Sequence, residues 1–330
     1  MINQEVLFCP VCRTQSWRTI GTRRYERNAV ESATEQKRRR LLILFNHWFP
    51  GVEQVNLESL ACGRCGFVTY APRPGASDLD RKYEFLNSLP SCGPNLAPDD
   101  PIEERRSLRI WKKMKGNLPS GGRILDYGGN DGRLMKVFND HSFRCFVVDY
   151  NERVVEGVQH LSHQVQCMPQ CEAFDGIICS HVLEHVADPR GVLESLQSHL
   201  AETGVIYVEV PMEVWRKAPL KDEPVTHVNF FTVDSMRTLL LLTGYNPQFV
   251  RMEGYDHPLG YKAIVISALA TKAVSSPSSI SWPGVNPTLE LLNPSLFSYF
   301  RRAFLKICPA MLYGGFVRLV TGGFNGHRAR

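Results

Sequence analysis

An apolar run that ends in an acid and turns through glycines straight into a helix leaves few folds open to a chain. Arg123-Ile124-Leu125-Asp126-Tyr127-Gly128-Gly129-Asn130-Asp131-Gly132-Arg133-Leu134 is such a run. Glycine at the turn lets the backbone approach a ligand closely, and the helix start offers unpaired N–H donors. The order Asp-x-Gly-x-Asn-Asp-Gly puts the acid before the glycines, so the dinucleotide pattern G-x-G-x-x-G is not met. One strand–helix unit later, Phe143-Arg144-Cys145-Phe146-Val147-Val148-Asp149 ends in a second acid. A carboxylate there can accept both hydroxyls of a ribose, or it can cap the next helix. Behind the glycine turn, the ribose role is the stronger expectation.

The flanking pattern agrees. Apolar runs predict strands over 123–128, 143–149, 163–167, 174–179, 204–210, 246–252 and 262–269. Amphipathic spacing predicts helices over 131–139, 151–159, 189–200 and 232–243, and Pro101 opens a further helix to 115. Alternation of this kind implies an α/β fold with a parallel sheet covered on both faces. The chain divides into a cysteine-pair module (1–75), a linker and helix (76–118), the α/β domain (119–270) and a basic, aromatic extension (271–330). The extension carries seven Lys and Arg against one acid, Glu290.

These motifs resemble those of the class I S-adenosylmethionine-dependent methyltransferases, in the branch that includes deoxysugar C-methyltransferases. Residues 126–132 are similar to the first cofactor motif of that family. Phe174-Asp175-Gly176-Ile177-Ile178-Cys179-Ser180-His181-Val182-Leu183-Glu184-His185-Val186 is similar to a later one, a buried strand followed by a Leu-Glu-His turn. The resemblance implies a Rossmann-like, seven-stranded methyltransferase sheet. It implies cofactor contacts from Asp126, Gly128, Gly129, Asn130 and Ser180 on the methionine side and from Asp149 on the ribose. It also assigns the Glu184-His185 turn to supporting the sheet edge and the cofactor pocket rather than to catalysis.

Cys9-Pro10-Val11-Cys12 and Cys62-Gly63-Arg64-Cys65 have the spacing of two zinc knuckles. Four thiolates close a tetrahedron round one Zn²⁺, and a closed site folds a module rather than doing chemistry. The long stretch between the pairs is filled by an expected helical insertion over 31–49. A redox role needs a βαβ context that neither pair has. The sugar methyltransferases carry a similar N-terminal zinc-binding domain followed by a Pro-Arg-Pro segment, here Pro72-Arg73-Pro74.

Methyl transfer from a sulfonium to a hydroxyl or carbon acid needs alignment and a proton acceptor. After the fifth strand the chain reaches Thr226-His227-Val228-Asn229-Phe230-Phe231, over the carboxyl ends of the strands, where such sheets bind ligands. His227 is therefore the candidate general base, with Tyr127, His181, His185 and Glu209 behind it and a lid role as its alternative. The deoxysugar enzymes have a His-Glu-His segment here. Val225 and Thr226 stand in place of its first two residues.

The expected acceptor is a small hydroxylated molecule, by resemblance a sugar or sugar nucleotide. The alternative is O-methylation of a lipid-linked or quinone-like acceptor, since the composition of 290–320 permits a peripheral membrane contact. Remoter alternatives are a nucleic-acid binder and a non-catalytic cofactor-binding protein. Net charge is +5, from 38 Lys and Arg against 33 Asp and Glu, too little for a nucleic-acid binder without a concentrated patch. Unbridged paired thiols fit the cytoplasm.

Overall fold

The computed structural model describes residues 7–89, 101–162, 173–220, 223–257, 261–274 and 280–307. Strands β1 (Trp17–Glu26), β2 (Gln54–Cys62) and β3 (Val68–Ala71) form an antiparallel sheet in that order. Between β1 and β2 lie α1 (Ala29–Ser32) and α2 (Glu35–Leu42), which continues through a wider π-helical turn, Ile43–Trp48. This is the insertion expected from the sequence. Leu41, Ile43, Leu44, Phe45 and Trp48 bury its apolar side.

After α3 (Ala76–Ser88) and α4 (Pro101–Met114) come β4 (Arg123–Tyr127), α5 (Lys136–Asp140), β5 (Arg144–Val148), β6 (Val158–Ser162), β7 (Phe174–Ser180) and α6 (Pro189–His199). The chain continues through β8 (Leu200–Pro211), α7 (Val233–Leu242), β9 (Tyr245–Asp256), β10 (Lys262–Lys272), α8 (Asn286–Leu292) and α9 (Leu296–Ile307). The seven strands β4 to β10 form one sheet in the order β6-β5-β4-β7-β8-β10-β9. The crossover at β4 puts a topological switch point between β4 and β7, where α/β sheets open a ligand crevice.

Three expectations need correction. The sheet is mixed, because β10 runs antiparallel to both β8 and β9. The chain between β9 and β10 is too short for a crossover, which forces a hairpin. The helix expected over 131–139 is a 3₁₀ turn, Arg133–Met135, followed by the short α5. No helix forms over 151–159: β6 already begins at Val158, Gly157 is left-handed at φ +80°, and the Val155 N–H donates to the Asp131 carbonyl. The β-branched Val154, Val155 and Val158 favour extended chain there. The strand expected over 163–167 lies outside the described residues.

Two cores cover the sheet. On one face α4 and α5 pack Ile110, Met114 and Phe138 against Ile124, Ile178 and Tyr207. On the other, a single cluster runs from the cysteine module through Phe67 and Phe231 to Leu193, Ile206 and Leu239. Phe67 and Phe231 meet edge-on at 5.2 Å, Val68 and Phe230 exchange backbone hydrogen bonds, and the Tyr70 hydroxyl donates to the Pro224 carbonyl at 2.7 Å. The N-terminal module thus shares its core with the α/β domain. Full burial of each such aromatic is worth roughly 1.5–3 kcal/mol.

Helix α9 leaves Leu296, Phe297, Tyr299 and Phe300 exposed. It is anchored through Arg302, which lies over the Trp215 ring at 4.6 Å and donates to the Met212 carbonyl at 3.3 Å. Among the described residues no helix is long and apolar enough to cross a membrane.

Candidate active site and cysteine cluster

The glycine turn closes β4 against β5. Gly128 is left-handed at φ +71°, its N–H donates to the Val148 carbonyl at 2.8 Å, and an added Cβ would stand 2.5 Å from Val182. Asn130 is also left-handed, at φ +52°, a region that Asn tolerates better than most residues. Its N–H donates to Asp149 Oδ2 at 3.0 Å, and the Asn151 N–H donates to Oδ1 at 2.9 Å. Gly129 sits over Asp126, whose carboxyl an added Cβ would meet at 2.4 Å. Asp126 is only 2% exposed, and its Oδ2 has no hydrogen-bond partner. Burial pushes this carboxyl up to about 7, against the pull of the Arg106 guanidinium. Asp126, Gly128, Gly129, Asn130 and Asp149 therefore converge on one end of the sheet.

Ser180 closes the same end of β7, but its hydroxyl is engaged. It accepts from Arg106 Nη2 at 2.8 Å and donates to Glu209 Oε1 at 3.2 Å. Glu209 is fully buried, bonded to the Tyr207 hydroxyl at 2.6 Å and paired with Arg109 at 2.7 Å. Burial would raise this carboxylate, but Arg109 and His181 hold it well below the usual range. Glu209 is therefore a locked ion-pair member, poorly suited to take a proton. Tyr127 ends β4, and burial pushes its phenol up, away from a base at neutral pH.

Beyond β7, His181 is left-handed at φ +58°, a strained conformation for a non-glycine residue. The following turn joins the two halves of the site: Val182 packs at Gly128, and the His185 N–H donates to the Val182 carbonyl at 2.9 Å. Glu184 is 1% exposed. Burial would raise its carboxyl, but His181, His185 and His227 keep it low. His185 donates from Nδ1 to the Thr226 carbonyl at 2.8 Å, and burial pushes its imidazole down to about 4 despite Glu184.

His227 lies 4.7 Å from the His185 ring and donates from Nδ1 to Glu213 Oε2 at 2.7 Å. Burial would lower this imidazole, but the Glu213 carboxylate raises it overall. It borders a cavity of about 190 Å³ lined by Glu213, Leu220, Glu223, Thr226 and Phe230. A carboxylate–imidazole pair open on its other nitrogen is a suitable proton acceptor.

Sequence reasoning missed three parts of this arrangement. Glu213, just past β8, orients His227. Arg106 and Arg109 come from α4, far away in the chain. Arg73, in the Pro-Arg-Pro segment, donates to the carbonyls of Ala187 (2.9 Å) and Val228 and to Asn229 Oδ1 (2.7 Å). Asn229 in turn donates to the carbonyls of Leu183 and Val186 at 2.6 and 2.7 Å. Of these, the sequence shows only the Pro-Arg-Pro motif, as a segment shared with the sugar methyltransferases.

The cysteine pairs form two matching turns. Cys9 and Cys62 each donate their N–H to the carbonyl five residues on, Thr14 and Phe67, at 2.8 Å. The residues after Cys12 and Cys65, Arg13 and Gly66, are both left-handed, and their N–H groups return to the carbonyls of Cys9 and Cys62 at 2.9 and 3.0 Å. All four cysteines are buried, with Sγ atoms 3.6 Å apart for Cys9–Cys65 and 3.5 Å for Cys12–Cys62 and every pair within 4.8 Å. A tetrahedron of thiolates about 2.3 Å from Zn²⁺ has edges of about 3.8 Å, so the donor set fits this ion.

Comparison with known proteins bears on the α/β part. Residues 102–248 match the family model described as a methyltransferase domain. Two curated relatives, each a ubiquinone biosynthesis O-methyltransferase, are 26% identical: that of Xanthomonas axonopodis pv. citri over 132 residues and that of Actinobacillus pleuropneumoniae serotype 7 over 129. The matches cover 34% and 32% of this chain and 52% and 53% of theirs, so the chain spans about half the length of the curated relatives it matches. Among solved structures, the Burkholderia thailandensis 1,6-didemethyltoxoflavin-N1-methyltransferase is similar at 18% identity and a TM-score of 0.47, over 62% of this chain and 96% of that one. The segment that matches the methyltransferase-domain model takes in the glycine turn, the Asp149 strand end and both histidine turns, within a mostly parallel seven-stranded sheet.

Proposed function

We propose that this chain transfers the methyl group of S-adenosylmethionine to a hydroxyl of a small acceptor, a sugar or sugar nucleotide. The observation that supports this reading is the joined geometry of the Asn130–Asp149 contact and the Val182 turn, which brings the Asp149 carboxylate and the His185–His227 pair to one end of one sheet. Asp149 would bind the ribose hydroxyls, and the Gly128–Asn130 turn would lie along the methionine moiety. Asp126 lies below that turn and would face the cofactor's amino group. Ser180 would act through Arg106 at the pocket floor. His227, oriented by Glu213, would take the acceptor's proton as the methyl arrives. The four cysteines would hold one structural Zn²⁺, which on binding would tie the two knuckles together.

The test is production of S-adenosylhomocysteine with a panel of hydroxylated acceptors, guided by mass spectrometry of ligands that co-purify. Absence of cofactor binding in folded protein overturns the reading.

A lipid-linked or quinone-like acceptor is the second reading. It is favoured by the names of the curated relatives and by the exposed aromatic face of α9, anchored at Met212 beside Glu213. Co-sedimentation with anionic liposomes, lost on Phe297→Asp with Phe300→Asp, separates it from the first.

A further inference from the structure

Glu184, His185 and His227 have a second property that proton transfer does not use. One carboxylate oxygen and one nitrogen from each imidazole lie within 4.8 Å of one another. A carbonyl only accepts, so the His185 contact to Thr226 puts the proton on Nδ1 and leaves a lone pair on Nε2, 3.7 Å from Glu184 Oε1. Glu213 fixes His227 in the same way through Nδ1, leaving its Nε2. Metal-binding imidazoles typically carry just such outer contacts, to a carbonyl or a carboxylate, and these fix the tautomer and raise ligand basicity.

The carboxylate supplies an independent observation. Glu184 is 1% exposed, yet neither of its oxygens accepts a hydrogen bond of adequate geometry. His181 Nδ1 pairs with Oε1 at 3.2 Å, which leaves Oε2 with neither a hydrogen bond nor an ion pair among the described residues. A buried anion left this way is costly, and a cation among the three side chains would relieve it. The imidazoles keep side-chain exposures of 26% and 21%, so an ion there would retain coordination positions open to solvent or acceptor.

We propose that Glu184, His185 and His227 form a second cation site, for a divalent first-row ion, distinct from the four-thiolate cluster. Two imidazoles and one carboxylate suit Zn²⁺, Co²⁺, Ni²⁺ or Fe²⁺ better than Ca²⁺ or Mg²⁺. The inference rests on the preceding functional reading only for what the open positions face. With an ion bound, His227 Nε2 is a ligand rather than the proton acceptor, and the ion instead polarises an acceptor hydroxyl, lowering its pKa so that its proton leaves to solvent.

The test is a Co²⁺ titration of full-length protein whose thiolate cluster is filled with Zn²⁺, without cofactor or acceptor. The expected result is one further equivalent, with visible d–d bands but no sulfur-to-cobalt charge transfer. Glu184→Gln and His185→Ala should weaken it roughly tenfold or more, and Glu213→Gln, which touches no ion, by about tenfold. Retained S-adenosylhomocysteine binding checks that each variant is folded. Uptake of no further cobalt, or uptake unchanged in Glu184→Gln and His185→Ala, overturns the site. Cobalt binding involves neither methyl donor nor acceptor, so its failure leaves the methyl-transfer reading standing, and failure of that reading leaves the cobalt result standing.

Discussion

Asp149 Oδ2 accepts the backbone N–H of Asn130 at 3.0 Å, so the end of β5 and the glycine turn after β4 are one unit. The contact supports a left-handed non-glycine residue in the turn. Asp149→Ala should weaken S-adenosylhomocysteine binding by roughly 1.5–3 kcal/mol, the range for hydrogen bonds to a charged group. Calorimetry checks this. Unchanged affinity in folded protein would remove Asp149 from the site.

For the cysteine cluster, purified protein should contain about one zinc per chain, since four thiolates saturate one tetrahedral ion. The core runs unbroken from Cys9 and Cys62 to Ile206, so metal loss should not melt the N-terminal module alone. Cys62→Ser or strong chelation should lower the midpoint of a single cooperative transition, seen by calorimetry. Two separate transitions, with the α/β domain unaffected, would contradict the shared core.

The parts of this molecule that were legible in the sequence are those set by short-range chemistry. Left-handed turns needed Gly128 and Gly132, strand ends carried Asp126 and Asp149, and the knuckles needed Cys-x-x-Cys; each is a local pattern with a local cause. Illegible were contacts whose partners lie far apart in the chain. Arg106 and Ser180 are 74 residues apart, and Arg73 and Asn229 are 156 apart. The missing helix over 151–159 was misread for a related reason. Its spacing permitted a helix, but pairing of Val158 with Cys145 won the segment for the sheet. The hairpin β9–β10 was read as two strands, while its direction depended on the connection rather than on either strand.

Arg73 bridges the N-terminal module to both histidine turns. Arg73→Ala strips a charged donor from the carbonyls of Ala187 and Val228, and should cost roughly 3 kcal/mol of stability, as for charge-assisted hydrogen bonds. Denaturant unfolding measures it. Since Val228 neighbours His227, turnover should fall more than cofactor affinity; an equal fall in both would mean a general loss of fold.

His227→Ala should lower turnover by about 10²- to 10⁴-fold, the usual worth of a positioned acid or base, while leaving S-adenosylhomocysteine affinity nearly unchanged. Glu213→Gln keeps the shape of the contact but removes its charge, so it should lower turnover less than His227→Ala does. Full turnover in His227→Ala with the true acceptor would make the residue a lid, and proton acceptance would then have to be sought at His181 or His185.

Asp126 supplies the pH dependence. Its carboxyl is raised to about 7 in the fold, chiefly by burial. A raised folded value means that the native state holds a proton the unfolded chain releases. The neutral acid's contribution to stability is therefore complete below the ordinary carboxyl range and is lost as pH climbs toward 7. Asp126→Asn removes this term, so the variant should gain on the wild type as pH rises from 5 to 8, by on the order of a few kcal/mol. Thermal melts across that range measure it. Cofactor should act in the opposite direction to burial. Its ammonium beside Asp126 would favour the carboxylate, so binding near pH 7 should release a proton and S-adenosylhomocysteine affinity should strengthen with pH. Calorimetry in buffers of different ionisation enthalpy detects that proton. No proton release, together with a pH-independent difference between Asp126→Asn and wild type, would mean that Asp126 stays neutral beneath Gly129 and supports the turn without meeting the ligand.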